Sequence, residues 1–172
     1  AAAGNTELPL IEAIDQDVDV FAVECSSFRL AWLSSFRAEA AIWLNLAPDH
    51  QNWHTSMASY EQAKANVWKL QRSTDVAVGW ADDPVVGGHL ATATGRKVTF
   101  GLEHGDYRTV TGEHGTELAG PAGPMCPADR LRRTFPHDLT NALAAAAACV
   151  ESGLVPADRI AEGLATFEFP PH

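Results

Sequence analysis

Residues 40–50 read AAIWLNLAPDH. The stretch over 40–46 is almost wholly apolar, without polar alternation, and it stops at Pro48-Asp49-His50. A strand buried on both faces reads this way, because helices cover both sides of a parallel sheet. Two further runs match it: DVFAVE at 19–24, ending at Cys25-Ser26-Ser27, and TDVAVGW at 74–80, closed by Asp82-Asp83. In each, polar residues gather just past the strand, where open α/β sheets bind their ligands.

Helices are expected between and after these strands. A short one fits 8–16, and a longer one fits 57–70 behind a Thr55 or Ser56 cap. An Ala-rich helix fits 138–152 and stops at Gly153, and Pro156 opens a last one through Ala165. Residues 96–119 read as short strands with Gly-rich turns, a small antiparallel addition, and 120–128 (GPAGPMCPA) as a loop. The fold class expected is α/β: a mostly parallel, three-layer domain over residues 1–172, with that addition.

At 172 residues, 46% hydrophobic and 20% charged, the chain suits one globular domain with one core. Its net charge is −10, with no Lys/Arg cluster, which argues against broad nucleic-acid binding. Cys25, Cys126 and Cys149 are odd in number and lack C-x-x-C spacing, which fits a reducing compartment better than a disulfide framework or zinc site. No run of eighteen apolar residues suggests a membrane span.

Two constellations carry possible chemistry. Tyr60, Lys64, Val67 and Trp68 fall on one helical face. A lysine in such a stripe either snorkels to water or is desolvated, with a lowered pKa that makes it a nucleophile, for example toward CO2. Glu24 closes one strand and Asp49-His50 follow the next. Together they either offer oxygen and nitrogen ligands to magnesium or manganese, or are a turn cap beside a surface histidine.

The motifs in order resemble the Mur ligases. Glu24-Cys-Ser26-Ser27-Phe28-Arg29-Leu30 is similar to that family's E-L-S-S-F-Q-L, and Asn45 to His54 to its N-x-x-x-D-H-x-D-x-H. Ala-Lys64 is similar to its A-K, and His137-Asp138-Leu-Thr-Asn141-Ala-Leu-Ala to its H-N-x-x-N-A-L-A. Gly4-Asn5 resembles G-N-I-G, and residues 167–172 (FEFPPH) the family's F-x-G-L-P-H-R. The likeness is nearest to the branch that adds D-glutamate to UDP-N-acetylmuramoyl-L-alanine.

The resemblance implies a cytoplasmic, ATP-dependent amide ligase of peptidoglycan synthesis that works through an acyl phosphate. It implies that Glu24 holds the magnesium or manganese that sits with the ATP phosphates, and that His50, with Asp49 beside it, and a CO2-derived carbamate on Lys64 hold a second, with Lys64, His50 and Glu24 at the catalytic centre. Asn5, Ser26, Ser27 and Arg29 would meet the UDP-muramoyl substrate, and His137, Asp138 and Asn141 the ATP. Neither the family's G-K-[ST] phosphate loop nor its C-terminal domain is found here. The chain is therefore expected to be the truncated central domain, inactive alone, with separate N- and C-terminal domains as partners.

Several positions depart from the pattern. Thr6-Glu7 stand for Ile-Gly, Arg29 for Gln, Trp80 for Asn, Phe135 for Gly and Asp138 for Asn. These departures support one alternative, a non-catalytic paralogue that binds a nucleotide-sugar or protein partner; a second, a ligase like folylpolyglutamate synthase, would share the ATPase core.

Overall fold

The structure is a computed structural model, and it describes residues 1–5, 8–113 and 115–168. Strands β1 (Ala2–Gly4) and β2 (Ala22–Glu24) pair in parallel. Strands β3 (Ala40–Trp43), β4 (Val76–Trp80) and β5 (Arg96–Phe100) form a second parallel ladder in the order β3-β4-β5. The three apolar runs thus supply β2, β3 and β4.

The middle strand shows why those runs lack alternation. Val76 and Val78 face one core with Val98 and Phe100, while Ala77 faces the other with Ala41, Trp43 and Trp68. Helix α5 (Pro136–Glu151) covers the first face with Ala142, Leu143, Ala144, Ala146 and Ala147, all buried. Helix α4 (Pro84–Thr92) covers the second with Val86 and Leu90, beside a 3₁₀ turn at Asn66–Trp68. Small alanines let α5 approach the sheet closely while presenting little polar surface.

Three expectations need correction. Residues 96–119 are not all antiparallel, because β5 extends the parallel ladder and only β6 (Arg108–Gly112) and β7 (Gly115–Gly120) run antiparallel. The expected loop at 120–128 contains a third antiparallel strand, β8 (Gly123–Pro127), paired with β7 across a register irregularity. Its prolines are tolerated because β8 is an edge strand. Two helices were also unread: α2 (Ser27–Ala31) and α4. The start of α4 carries a visible signal, since Asp83 accepts from Val85 N and Val86 N and Pro84 sits in the first turn. Its middle does not, because Gly87 and Gly88 lower the helical propensity there.

The other helices are shorter than expected. α1 is Leu10–Ala13, α3 is Met57–Ala65, and α6 is Ile160–Thr166 behind a 3₁₀ turn at Ala157–Arg159. Ser56, not Thr55, caps α3 in a capping box with Ser59. The antiparallel sheet lays Leu118 and Cys126, and Tyr107 just before β6, into the same core as α5, so α5 lies between two sheets. Among the described residues no helix is long and apolar enough to cross a membrane.

Candidate functional site

The polar residues collect at the carboxyl ends of β1–β4. Gly4 ends β1 with φ 109°, and a Cβ there would stand 2.3 Å from the Glu24 carbonyl oxygen, so only glycine allows β1 and β2 to close this tightly. The close approach sets Asn5 against Glu24: Asn5 N donates to Glu24 O at 2.8 Å, and Asn5 Nδ2 to Glu24 Oε1 at 3.2 Å. Thr6 and Glu7 lie outside the described residues.

β2 runs directly into α2. Ser26 caps that helix, its hydroxyl accepting from Arg29 N at 3.4 Å. Arg29 lines a cavity of about 170 Å³ with Glu24, Cys25 and apolar neighbours. Burial pushes the Cys25 thiol up from its ordinary value, with nearby Arg29 opposing and Glu24 adding to it. Ser27 is buried, and its Oγ lies 3.0 Å from His54 Nε2.

β3 leads to the turn that holds Asp49 and His50. Asp83 fastens this end of the sheet, accepting from Leu46 N at 3.0 Å while it caps α4. His50 has φ 54°, the only positive φ at a described non-glycine residue. Such a conformation is uncommon outside glycine, though histidine, with Asn and Asp, adopts it more often than other residues, and it is held here by its surroundings. Asp49 Oδ1 accepts from His50 N at 2.7 Å, and Trp53 N and His54 N both donate to His50 O at 3.0 Å. The His50 ring packs 4.8 Å from Phe28 and 5.9 Å from Tyr60.

Lys64 lies on α3, one turn from the buried Tyr60, with Nζ 5.5 Å from the Tyr60 ring centre. Burial lowers its ammonium from the ordinary lysine value, and the charge of Asp49 opposes the shift. No carboxylate forms a salt bridge with Lys64 among the described residues. The helix is held from behind, where Glu61 Oε1 meets His89 Nε2 of α4 at 2.7 Å.

Asp49, His50, Tyr60 and Lys64 therefore form one neighbourhood, and Asn5 with Glu24 form another across α2. No three His, Cys, Asp or Glu side chains among the described residues are grouped to hold a metal by themselves. The fit to magnesium or manganese depends on a further oxygen donor, and a carbamate on Lys64 would supply one beside Asp49 and His50.

The residues expected to meet ATP sit apart, at the start of α5. Asp138 and Asn141 line a cavity of about 360 Å³ walled by Leu131, Ala142, Leu164 and Phe167. Asp138 Oδ1 accepts from Arg133 Nη2 at 3.0 Å, while buried Oδ2 has no hydrogen-bond partner among the described residues. His137 is exposed and stacked on Phe135. The residue missed by sequence reasoning is His54; its place within the Asp49–His54 stretch was its only signal.

Fold and site together define a parallel α/β domain whose polar groups gather at the strand ends. The family model for the Mur ligase middle domain matches residues 5–149, and the chain belongs to that family. A UDP-N-acetylmuramoylalanine--D-glutamate ligase from Frankia casuarinae is 38% identical over 90% of this chain and 34% of its own length. One of the same name from Mycolicibacterium vanbaalenii is 40% identical over 98% of this chain and 35% of its own length. The chain thus spans about a third of the curated relatives it matches.

Solved structures show the same fold. A UDP-N-acetylmuramate:L-alanyl-gamma-D-glutamyl-meso-diaminopimelate ligase from Neisseria meningitides superposes with TM-score 0.72 at 18% identity, covering 88% of this chain and 49% of that one. A UDP-N-acetylmuramoyl-L-alanyl-D-glutamate--2,6-diaminopimelate ligase superposes with TM-score 0.71 at 21% identity, covering 88% and 33%.

Proposed function

We propose that the chain is the central domain of an ATP-dependent ligase that joins D-glutamate to UDP-N-acetylmuramoyl-L-alanine in the cytoplasm. The names of its curated relatives support the reaction. The observation that carries the site assignment is Lys64, half-buried and without a salt bridge among the described residues, with a lowered pKa and in the electrostatic reach of Asp49 beside His50.

The lowered pKa increases the fraction of neutral amine at a given pH. That amine attacks the carbon of CO2 through its nitrogen lone pair, a C–N bond forms, and a proton leaves to water. The lysine becomes a carboxylate-like ligand in place of an ammonium cation. His50 and this carbamate, beside Asp49, would hold one magnesium or manganese and Glu24 another; the metals when bound supply charge neutralisation on the transferring phosphoryl group.

Asn5 orients Glu24 through its side-chain amide. Ser26 and Arg29 would face the nucleotide-sugar, and His137, Asp138 and Asn141 the ATP. In the full reaction a substrate carboxylate oxygen attacks the γ-phosphorus of ATP, an acyl phosphate forms and ADP leaves. The amine of D-glutamate then attacks the acyl carbon, an amide forms and phosphate leaves. The rest of the ligase would come from N- and C-terminal domains joined to this one.

The test uses ¹³C-bicarbonate and Mn²⁺ with the chain. Expected is a carbamate ¹³C signal that disappears in Lys64→Ala, and Mn²⁺ binding weakened by Glu24→Ala and by His50→Ala. A chain with no carbamate signal, whose Mn²⁺ binding ignores both substitutions, would sink the assignment.

A further inference from the structure

Two groups of the proposed centre belong to different segments. Glu24 ends β2 and continues into α2, whereas His50 opens the turn that leads to α3. What joins them is a buried contact between side chains 27 residues apart, His54 Nε2 to Ser27 Oγ at 3.0 Å, with both residues 5% exposed. The His54 ring also stacks on Phe28 at 5.7 Å and 11°, and lies 5.1 Å from Tyr60. Phe28 in turn meets His50 at 4.8 Å and Trp53 at 4.9 Å.

This contact bears on the strained backbone. The turn from His50 to His54 closes on itself through Trp53 N and His54 N, which both donate to His50 O. A positive φ at histidine persists only where neighbouring structure over-determines it. His54 is the buried residue at the far end of that turn, and its side-chain hydrogen bond reaches out of the turn to α2. Releasing it would free the turn from α2 and let His50 relax to a common conformation, which re-aims the imidazole.

We infer that His54 is a positioning residue: through Ser27 and Phe28 it locks α2 to the His50 turn and so fixes the aim of the His50 imidazole. The inference rests on the metal-binding reading above. Groups behind a metal ligand usually alter affinity about 10- to 100-fold when removed, and this lock, one residue further back, belongs at the low end.

The experiment uses the 172-residue chain with three substitutions. Ser27→Ala deletes only the hydroxyl, His54→Phe keeps the ring but loses its nitrogen, and Ser27→Thr restores a hydroxyl. Two quantities are read: Mn²⁺ affinity by electron paramagnetic resonance, and the nuclear Overhauser effect between the Phe28 and His50 rings. Expected is about tenfold weaker Mn²⁺ binding with a lost ring–ring signal in Ser27→Ala and His54→Phe, and recovery of both in Ser27→Thr.

Unchanged affinity and an unchanged ring–ring signal in Ser27→Ala and His54→Phe overturn the inference, even if both variants melt earlier than the parent. Failure of the parent chain to bind Mn²⁺ overturns the metal reading instead, and the ring–ring signal then decides the lock by itself.

Discussion

Helix α5 and helix α3 serve the same parallel layer in opposite ways. α5 buries Ala142, Leu143, Ala144, Ala146 and Ala147 between two sheets, and its polar residues stand at its ends. α3 buries only Tyr60 and Ala63, and sets Tyr60 against two imidazoles with Lys64 one turn away. The first region turns apolar area into stability at roughly 25 cal/mol per Å². The second holds a desolvated lysine and a histidine in an uncommon backbone conformation, both of which cost stability. One region anchors the fold so that the other can keep groups arranged for chemistry.

The comparison is broken most directly from the α5 side. Phe100, 1% exposed beneath α5, should cost about 3–5 kcal/mol when replaced by alanine, read by denaturant unfolding. A loss below about 1 kcal/mol would mean that α5 does not anchor the domain. Next in size is Gly4→Ala, where φ 109° and a Cβ 2.3 Å from Glu24 O force β1 away from β2. Expected is a loss of about 1–3 kcal/mol. Amide exchange should quicken at β1–β2 and stay unchanged at β4; equal acceleration in both would show that the two ladders unfold as one.

Tyr107 sharpens the contrast through pH. Burial and its hydrogen bond to Glu151 raise the Tyr107 hydroxyl well above its ordinary value of 10.0. Above that pH the unfolded chain loses the proton first, so the folded state holds more protons and stability falls as pH rises. Tyr107→Phe should flatten this alkaline decline; an unaltered slope would assign it elsewhere.

Lys64 is the smallest effect and opposite in sign. Its folded pKa lies below 10.5, so the unfolded chain binds more protons between the two values and stability rises with pH there. Without bicarbonate, Lys64→Met should stabilise the chain by up to about 1 kcal/mol at neutral pH, and the gain should shrink toward pH 10.5. A destabilised Lys64→Met would show that the lysine packs as an ordinary snorkelling side chain.

Much of the fold was legible because burial on both faces leaves an apolar mark. The runs at 19–24, 40–46 and 74–80 contain β2, β3 and β4, and the Ala-rich segment is α5. β8 was hidden by Pro124 and Pro127, which read as loop until an edge strand accommodates them. α4 was hidden by its paired glycines, and β1 by its length of three residues. At the candidate site, Glu24, Asp49, His50 and Lys64 stood out because charged or polar groups at strand ends and in an apolar stripe are costly without a purpose.

By itself the sequence determined the parallel α/β class, the family-like motifs and the anomaly of Lys64, all properties of local pattern. Only the tertiary structure decided that Asp49 sits within electrostatic reach of Lys64, that His50 takes a positive φ, and that Ser27 is spent on His54. The first and last are relations between segments 15 to 27 residues apart, set by how helices dock on a sheet, and no local periodicity encodes them.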